Sequence, residues 1–186
     1  MTHPLQTRLI DSLIQREGGY VNHAADRGGP TRYGVTQSVA RENGYNGDMR
    51  ELPLSLAKRI AADRYWHPLH LGDVAVHSEA LAESMFDFCY HSGVRRPAET
   101  LQRLLNVLNR EQRDYRDLGV DGIVGGKTLG ALQAYRELRG NDGMQVLRHG
   151  FDALRTAFLV SLAERAPSQE AFSYGWLRRV FELRGV

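Results

Sequence analysis

Leu9-Ile10-Asp11-Ser12-Leu13-Ile14-Gln15-Arg16-Glu17-Gly18-Gly19-Tyr20 reads as the last turns of a helix followed by its stop. Together with Leu5, the apolar residues recur at three- and four-residue steps, which places them on one stripe of an α-helix. Gly18-Gly19 closes it, because glycine enters the left-handed conformation that ends helices. Residues 18–34 are rich in Gly, Asn, Asp and Pro and predict a loop or short hairpin. Further along, helical periodicity keeps returning. One helix is predicted from about Ser55, as N-cap after Pro53, through Leu56, Ile60 and Ala61 to Trp66. Another runs from Ser78 to about Tyr90, with Leu81, Ala82, Met85, Phe86 and Cys89 on its apolar face. Gly93 breaks the chain, and Pro97 restarts a helix bearing Leu101, Leu104, Leu105 and Leu108. A polar, turn-rich stretch over 109–126 follows, then helical segments near 128–138, 142–164 and 169–183. Few segments alternate with period two. The expected fold class is therefore mainly α, with at most a small sheet.

Composition narrows the function classes. A chain of 186 residues is one ordinary domain, or one with a compact appendage. At 42% apolar and 25% charged it is globular, which excludes a disordered chain. Cys89 is the lone cysteine, so an internal disulfide is excluded, and its place on an apolar helix face predicts an inert core thiol. The longest apolar runs are a few residues, too short for a membrane span. Lys+Arg 24 against Asp+Glu 22 gives +2, with basic and acidic residues interspersed, so no nucleic-acid stripe is expected. His67 and His70 stand three apart without a His-Glu-x-x-His pattern, so neither a metal nor a cofactor is expected. The first residues carry no positive cluster leading into an apolar segment. Synthesis in the cytoplasm without a secretory signal is the expectation.

Glu17 is the residue whose position asks for chemistry. It lies three residues after Ile14, four after Leu13 and seven after Ile10, so it continues the apolar stripe. It also stands in the last turn, where the helix dipole places partial negative charge. Burial and dipole both favour the neutral acid over the carboxylate. A carboxyl kept protonated is what a general acid needs to cleave a glycosidic bond. The alternative is a helix-end glutamate paired with Arg16 or a distant arginine.

Eight residues separate Glu17 from Asp26, and four separate Asp26 from Thr31. A hairpin over this stretch would return Asp26 and Thr31 opposite the helix end. Asp26 would then stabilise positive charge developing at the sugar, or help Thr31 orient a water. An Asx-turn at Asp26 is the structural alternative. Tyr20, Asn22, Tyr33 and Gln37 around the loop, with Tyr90 and His91 further along, are the candidate substrate contacts. Trp66 and Trp176 are expected to pack in the core. Asp121-Gly122 reads as a tight turn.

The ordered series Glu17-Gly18-Gly19-Tyr20-Val21-Asn22, Asp26, Gly28-Gly29, Thr31 and Gly34-Val35-Thr36 resembles the phage-type N-acetylmuramidases (endolysins) of glycoside hydrolase family 108. The resemblance continues at Tyr65-Trp66, Asp87, His91-Ser92-Gly93, Leu101-Gln102, Leu105-Asn106-Val107, Asp121-Gly122, Gly125 and Thr128-Leu129. It closes at Phe172, Gly175-Trp176-Leu177 and Arg179-Val180. The spacing of Glu17, Asp26 and Thr31 is also similar to the Glu, Asp, Thr triad of T-even phage lysozymes, one residue shorter in its second gap. Departures fall at Arg27, where the family usually has proline, at Pro30, and at His91, where asparagine is customary.

The resemblance implies a lysozyme-like helical domain with a small loop or hairpin carrying part of the active site. It implies an enzyme that cleaves the β-1,4 bond between N-acetylmuramic acid and N-acetylglucosamine, with Glu17 as the catalytic acid. It divides the chain into a catalytic part, 1–93, and a helical part, 94–186, similar to the family's predicted peptidoglycan-binding region. Host-cell lysis by a monomer, with a holin or secretion partner for export, completes the expectation. Rival readings are a lytic transglycosylase using the same Glu17, a non-catalytic peptidoglycan-binding or assembly protein, and a zinc amidase.

Overall fold

The computed structural model describes residues 3–22 and 29–182, with the side chains of Tyr90 and His91 outside the description. The chain divides into two compact units, Met1–His67 and Pro68–Val186.

The first unit opens with α1 (Pro4–Glu17). Pro4 suits the first helical position, where no N–H is required, and His3 caps the helix by accepting the Leu5 N–H on Nδ1 at 3.2 Å. Leu5, Leu9, Ile10, Leu13 and Ile14 are buried, as their spacing predicts. Three two-residue strands follow, β1 (Tyr20–Val21), β2 (Thr31–Arg32) and β3 (Val35–Thr36), forming an antiparallel sheet in that order. Helix α2 (Gln37–Glu42) starts at Thr36, whose hydroxyl accepts the Val39 N–H. Helix α3 (Leu54–Ala61) begins at Pro53, which supplies no side-chain cap. Ser55 thus lies inside the first turn, a correction to its expected place as N-cap. The helix continues as a wider π turn over Ala62–Trp66, which seats Trp66 in the core at 3% exposure, its ring 5.8 Å from that of His3.

The second unit contains α4 (Leu71–His77), α5 (Glu79–Ser92), α6 (Arg95–Leu108), α7 (Gly126–Arg165, interrupted at Gly140) and α8 (Glu170–Glu182). Ser78 ends α4 and caps α5, accepting the Leu81 N–H at 3.2 Å. Leu81, Ala82, Met85, Phe88 and Cys89 are fully buried, and Phe88 meets Phe151 and Phe158 of α7 edge-on. Burial pushes the Cys89 thiol far up, so it stays an unreactive core group. One side of α6 and its C-cap residue, Asn109, present three amides that hold the irregular chain after the helix. Gln102 donates to Asp121 Oδ1 and the Ile123 carbonyl and accepts the Gly122 N–H. Asn106 exchanges two hydrogen bonds with the Leu118 backbone, and Asn109 donates to Asp117 and the Tyr115 carbonyl.

Candidate active site

Glu17 is the last residue of α1 and is half-buried. Gly18 follows at φ +73°, turning the chain out of the helix and into β1. The hairpin then comes back to the helix end. Arg32 pairs with Val35, leaving Tyr33-Gly34 as a two-residue turn with both residues at positive φ, 54° and 74°. That is the turn whose twist matches paired strands. Its tip lies on Glu17: a methyl group placed on Gly34 would stand 2.9 Å from Glu17 Cγ and 3.4 Å from Oε2. Glycine is therefore required twice at position 34, for its backbone angle and for the approach of the carboxyl side chain. Among the described residues, no hydrogen bond or ion pair engages the Glu17 carboxyl, so the structural alternative of a pairing with Arg16 finds no support in them.

The other candidates in this unit line the same sheet. Tyr20 on β1 stands opposite Arg32, and Thr31 on β2 stands opposite Val21. The Thr31 hydroxyl donates to the Gly29 carbonyl at 3.0 Å, a contact that also steadies the loop. Gln37 opens α2, its N–H donating to the Pro30 carbonyl at 2.9 Å. Asn22 is exposed just after β1. Asp26 lies outside the described residues. Tyr90 and His91 stand in the last turn of α5, in the second unit. Among the described residues, no group of three His, Cys, Asp or Glu side chains is arranged to hold a metal ion.

Two arginines at this sheet escaped the sequence reading. The Arg32 guanidinium lies 4.8 Å from the Tyr33 ring centroid, and that of Arg50 lies 4.9 Å from the Tyr20 ring. Cation–π contact of this kind fixes the orientation of both tyrosines. Arg50 belongs to a short 3-10 turn, Met49–Glu51, distant in sequence from Tyr20, so no local pattern reports the pairing.

A mainly α chain that sets a half-buried carboxyl at a helix end, against the tip of a small antiparallel hairpin, has the architecture of a lysozyme-like glycoside hydrolase. Residues 10–93 match the family model Glycosyl hydrolase 108, a family of that class. Residues 96–181 match the model named Predicted Peptidoglycan domain. Among solved structures, the structure of Brucella abortus SagA is similar, at 24% identity and a TM-score of 0.67, covering 97% of this chain and 91% of that one. This last likeness is one of fold. No curated protein matches the chain. The protein is thus a glycoside hydrolase of lysozyme-like type that acts on peptidoglycan. Trp176 differs from its expected burial: it is only half-buried and stacks on exposed Phe172 at 6.1 Å.

Proposed function

We propose that the protein cleaves the β-1,4 bond between N-acetylmuramic acid and N-acetylglucosamine, with Glu17 as general acid. The observation that carries this reading is the contact of Gly34 with the Glu17 side chain. It holds a half-buried acid at a helix C-terminus, at the hairpin tip, as the group that gives its proton to the glycosidic oxygen. As the carbon–oxygen bond breaks, positive charge spreads over the sugar ring and a water completes the substitution. Asp26 is the proposed second carboxyl and Thr31 a group that orients water. The distance from Asp26 to Glu17 decides whether the product inverts or retains its configuration.

Tyr20, Asn22, Tyr33 and Gln37 are the proposed sugar contacts of the first unit, with Tyr90 and His91 as further ones. Tyr33 supports this assignment by its place, at the hairpin tip next to Gly34, whose backbone lies against Glu17. Residues 1–93 are proposed as the catalytic part and 94–186 as the part that holds the cell wall. The biological role proposed is phage-type lysis by a monomer, released to the wall through a holin-like pore or a secretion apparatus. No described helix is long and apolar enough to cross a membrane.

The test is mass analysis of material released from purified peptidoglycan by wild type and Glu17→Gln. Wild type is expected to release muropeptides with reducing muramic acid ends, and the variant none. Anhydro ends, lighter by one water, would turn the reaction into transglycosylation on the same glutamate. Equal release by both proteins would remove Glu17 from the chemistry.

A further inference from the structure

A groove beside the break in α7 plays no part in the site described above. Gly140, at φ 62° and ψ −155°, leaves the helical region and interrupts α7. The groove beside it has a volume of about 1060 Å³, and its walls come from both sides of the break and from the junction of α4 and α5. That is the upper range of small-ligand pockets, with room for a short peptide. Its lining holds no Phe, Tyr or Trp, the rings that stack on sugar faces. Instead Arg136, Arg148, His77 and His149 line it together with the carboxylate of Glu79.

The two guanidiniums are held in place. Arg136 donates to the Asn141 side chain across the break, and Arg148 lies 3.4 Å from buried Asp152 at only 13% side-chain exposure. Glu79 and Ala80, the first residues of the 14-residue helix α5, also line the groove. Their backbone N–H groups have no acceptor within the helix and carry the positive end of its dipole. Fixed positive groups surrounding one carboxylate complement a ligand with several carboxylates and an amine.

We propose that this groove binds the peptide stem of peptidoglycan, with stem carboxylates held by Arg136, Arg148 and the start of α5, and an amino group directed to Glu79. The proposal rests on the reading of the protein as acting on peptidoglycan, and it names the part of that polymer the second unit holds.

The experiment is calorimetric titration of the full-length Glu17→Gln protein, which binds without cutting. The probes are a purified tetrapeptide stem, the same stem with its carboxylates amidated, and chitotetraose as peptide-free glycan. The free stem is expected to bind, the amidated stem not. Arg136→Glu is expected to weaken stem binding about tenfold or more, the size of one charge-assisted hydrogen bond. His149→Glu, at an exposed position, gives a second variant that leaves the fold intact and is expected to weaken it likewise. Absence of stem binding, equal binding of the amidated stem, or affinity unchanged by both substitutions would overturn the proposal. Sacculus digestion by wild type, run alongside, reports separately on the glycosidase reading.

Discussion

Gly34 bears on the proposed chemistry without containing any reactive atom. Gly34→Ala places a methyl group 2.9 Å from Glu17 Cγ and a side chain at φ +74°. The backbone strain alone costs about 1–2 kcal/mol. The displaced carboxyl is expected to lower kcat about tenfold or more, since small misplacements of catalytic groups are expensive. Gly19→Ala is the matched control, because a methyl group there meets nothing within 4 Å. Its melting temperature is expected to stay close to wild type while that of Gly34→Ala falls. Thermal melts and steady-state rates on solubilised peptidoglycan check both, and a Gly34→Ala enzyme with normal kcat would separate the hairpin tip from catalysis. The place of Glu17 at the end of α1 was legible from local periodicity and the double glycine. Gly34 was not legible as its neighbour, because that contact depends on strand pairing that only the folded hairpin supplies.

Between helices, buried charge does what apolar packing does elsewhere. Asp87 on α5 accepts from Arg155 of α7 and from Arg179 of α8, the latter at 3.0 Å. Arg155 is fully buried, and its Nε and Nη1 have no acceptor among the described residues, so Asp87 is its charge partner. Burial by itself would push the Asp87 carboxyl up, but the two guanidiniums outweigh it and hold it below the usual carboxylate range. A carboxylate lowered on folding stabilises the native state fully above its unfolded value, about pH 4, and loses that contribution as pH falls through the lowered value. Asp87→Asn leaves Arg155 buried without a countercharge and is expected to cost about 3–5 kcal/mol at neutral pH. The deficit should shrink as acid protonates Asp87 in the wild type. Denaturant melts across pH 2–8 test this, and a gap independent of pH would deny the ion pairs their role.

Gln102→Ala tests the amides of α6 in the same way. It strands the Gly122 N–H and leaves the Ile123 carbonyl with the Thr128 hydroxyl alone, so a loss of about 1–3 kcal/mol is expected, with faster hydrogen exchange confined to 117–125. The long helices were legible because their apolar stripes repeat over several turns. Helices α2 and α4 passed unseen, being six and seven residues long and too short to show a period. The chain from 109 to 125 read as a loop, yet its order depends on amides from a helix already passed. Nothing local reveals that Arg110, Glu111 and Gln112 all take positive φ there.

The family models and the packing divide the chain at different places. The Glycosyl hydrolase 108 match runs over 10–93, whereas the compact units part between His67 and Pro68. Helices α4 and α5 therefore carry family sequence while packing on α6 and α7. The face of α5 that carries Leu81, Met85, Phe88 and Cys89 is fully buried in that second unit. Four such side chains left exposed would cost roughly 1.5–3 kcal/mol each, comparable with the whole stability of a small domain. A fragment of residues 1–93 is therefore expected to lack a cooperative melt and to bind a hydrophobic dye. A fragment of residues 68–186 is expected to melt cooperatively, because it retains both sides of that core along with Asp87, Arg155 and Arg179. Calorimetry of the two fragments decides it. A cooperative 1–93 fragment would mean that the proposed catalytic part folds without the helices that bury α5, and that the sequence boundary is also a folding boundary.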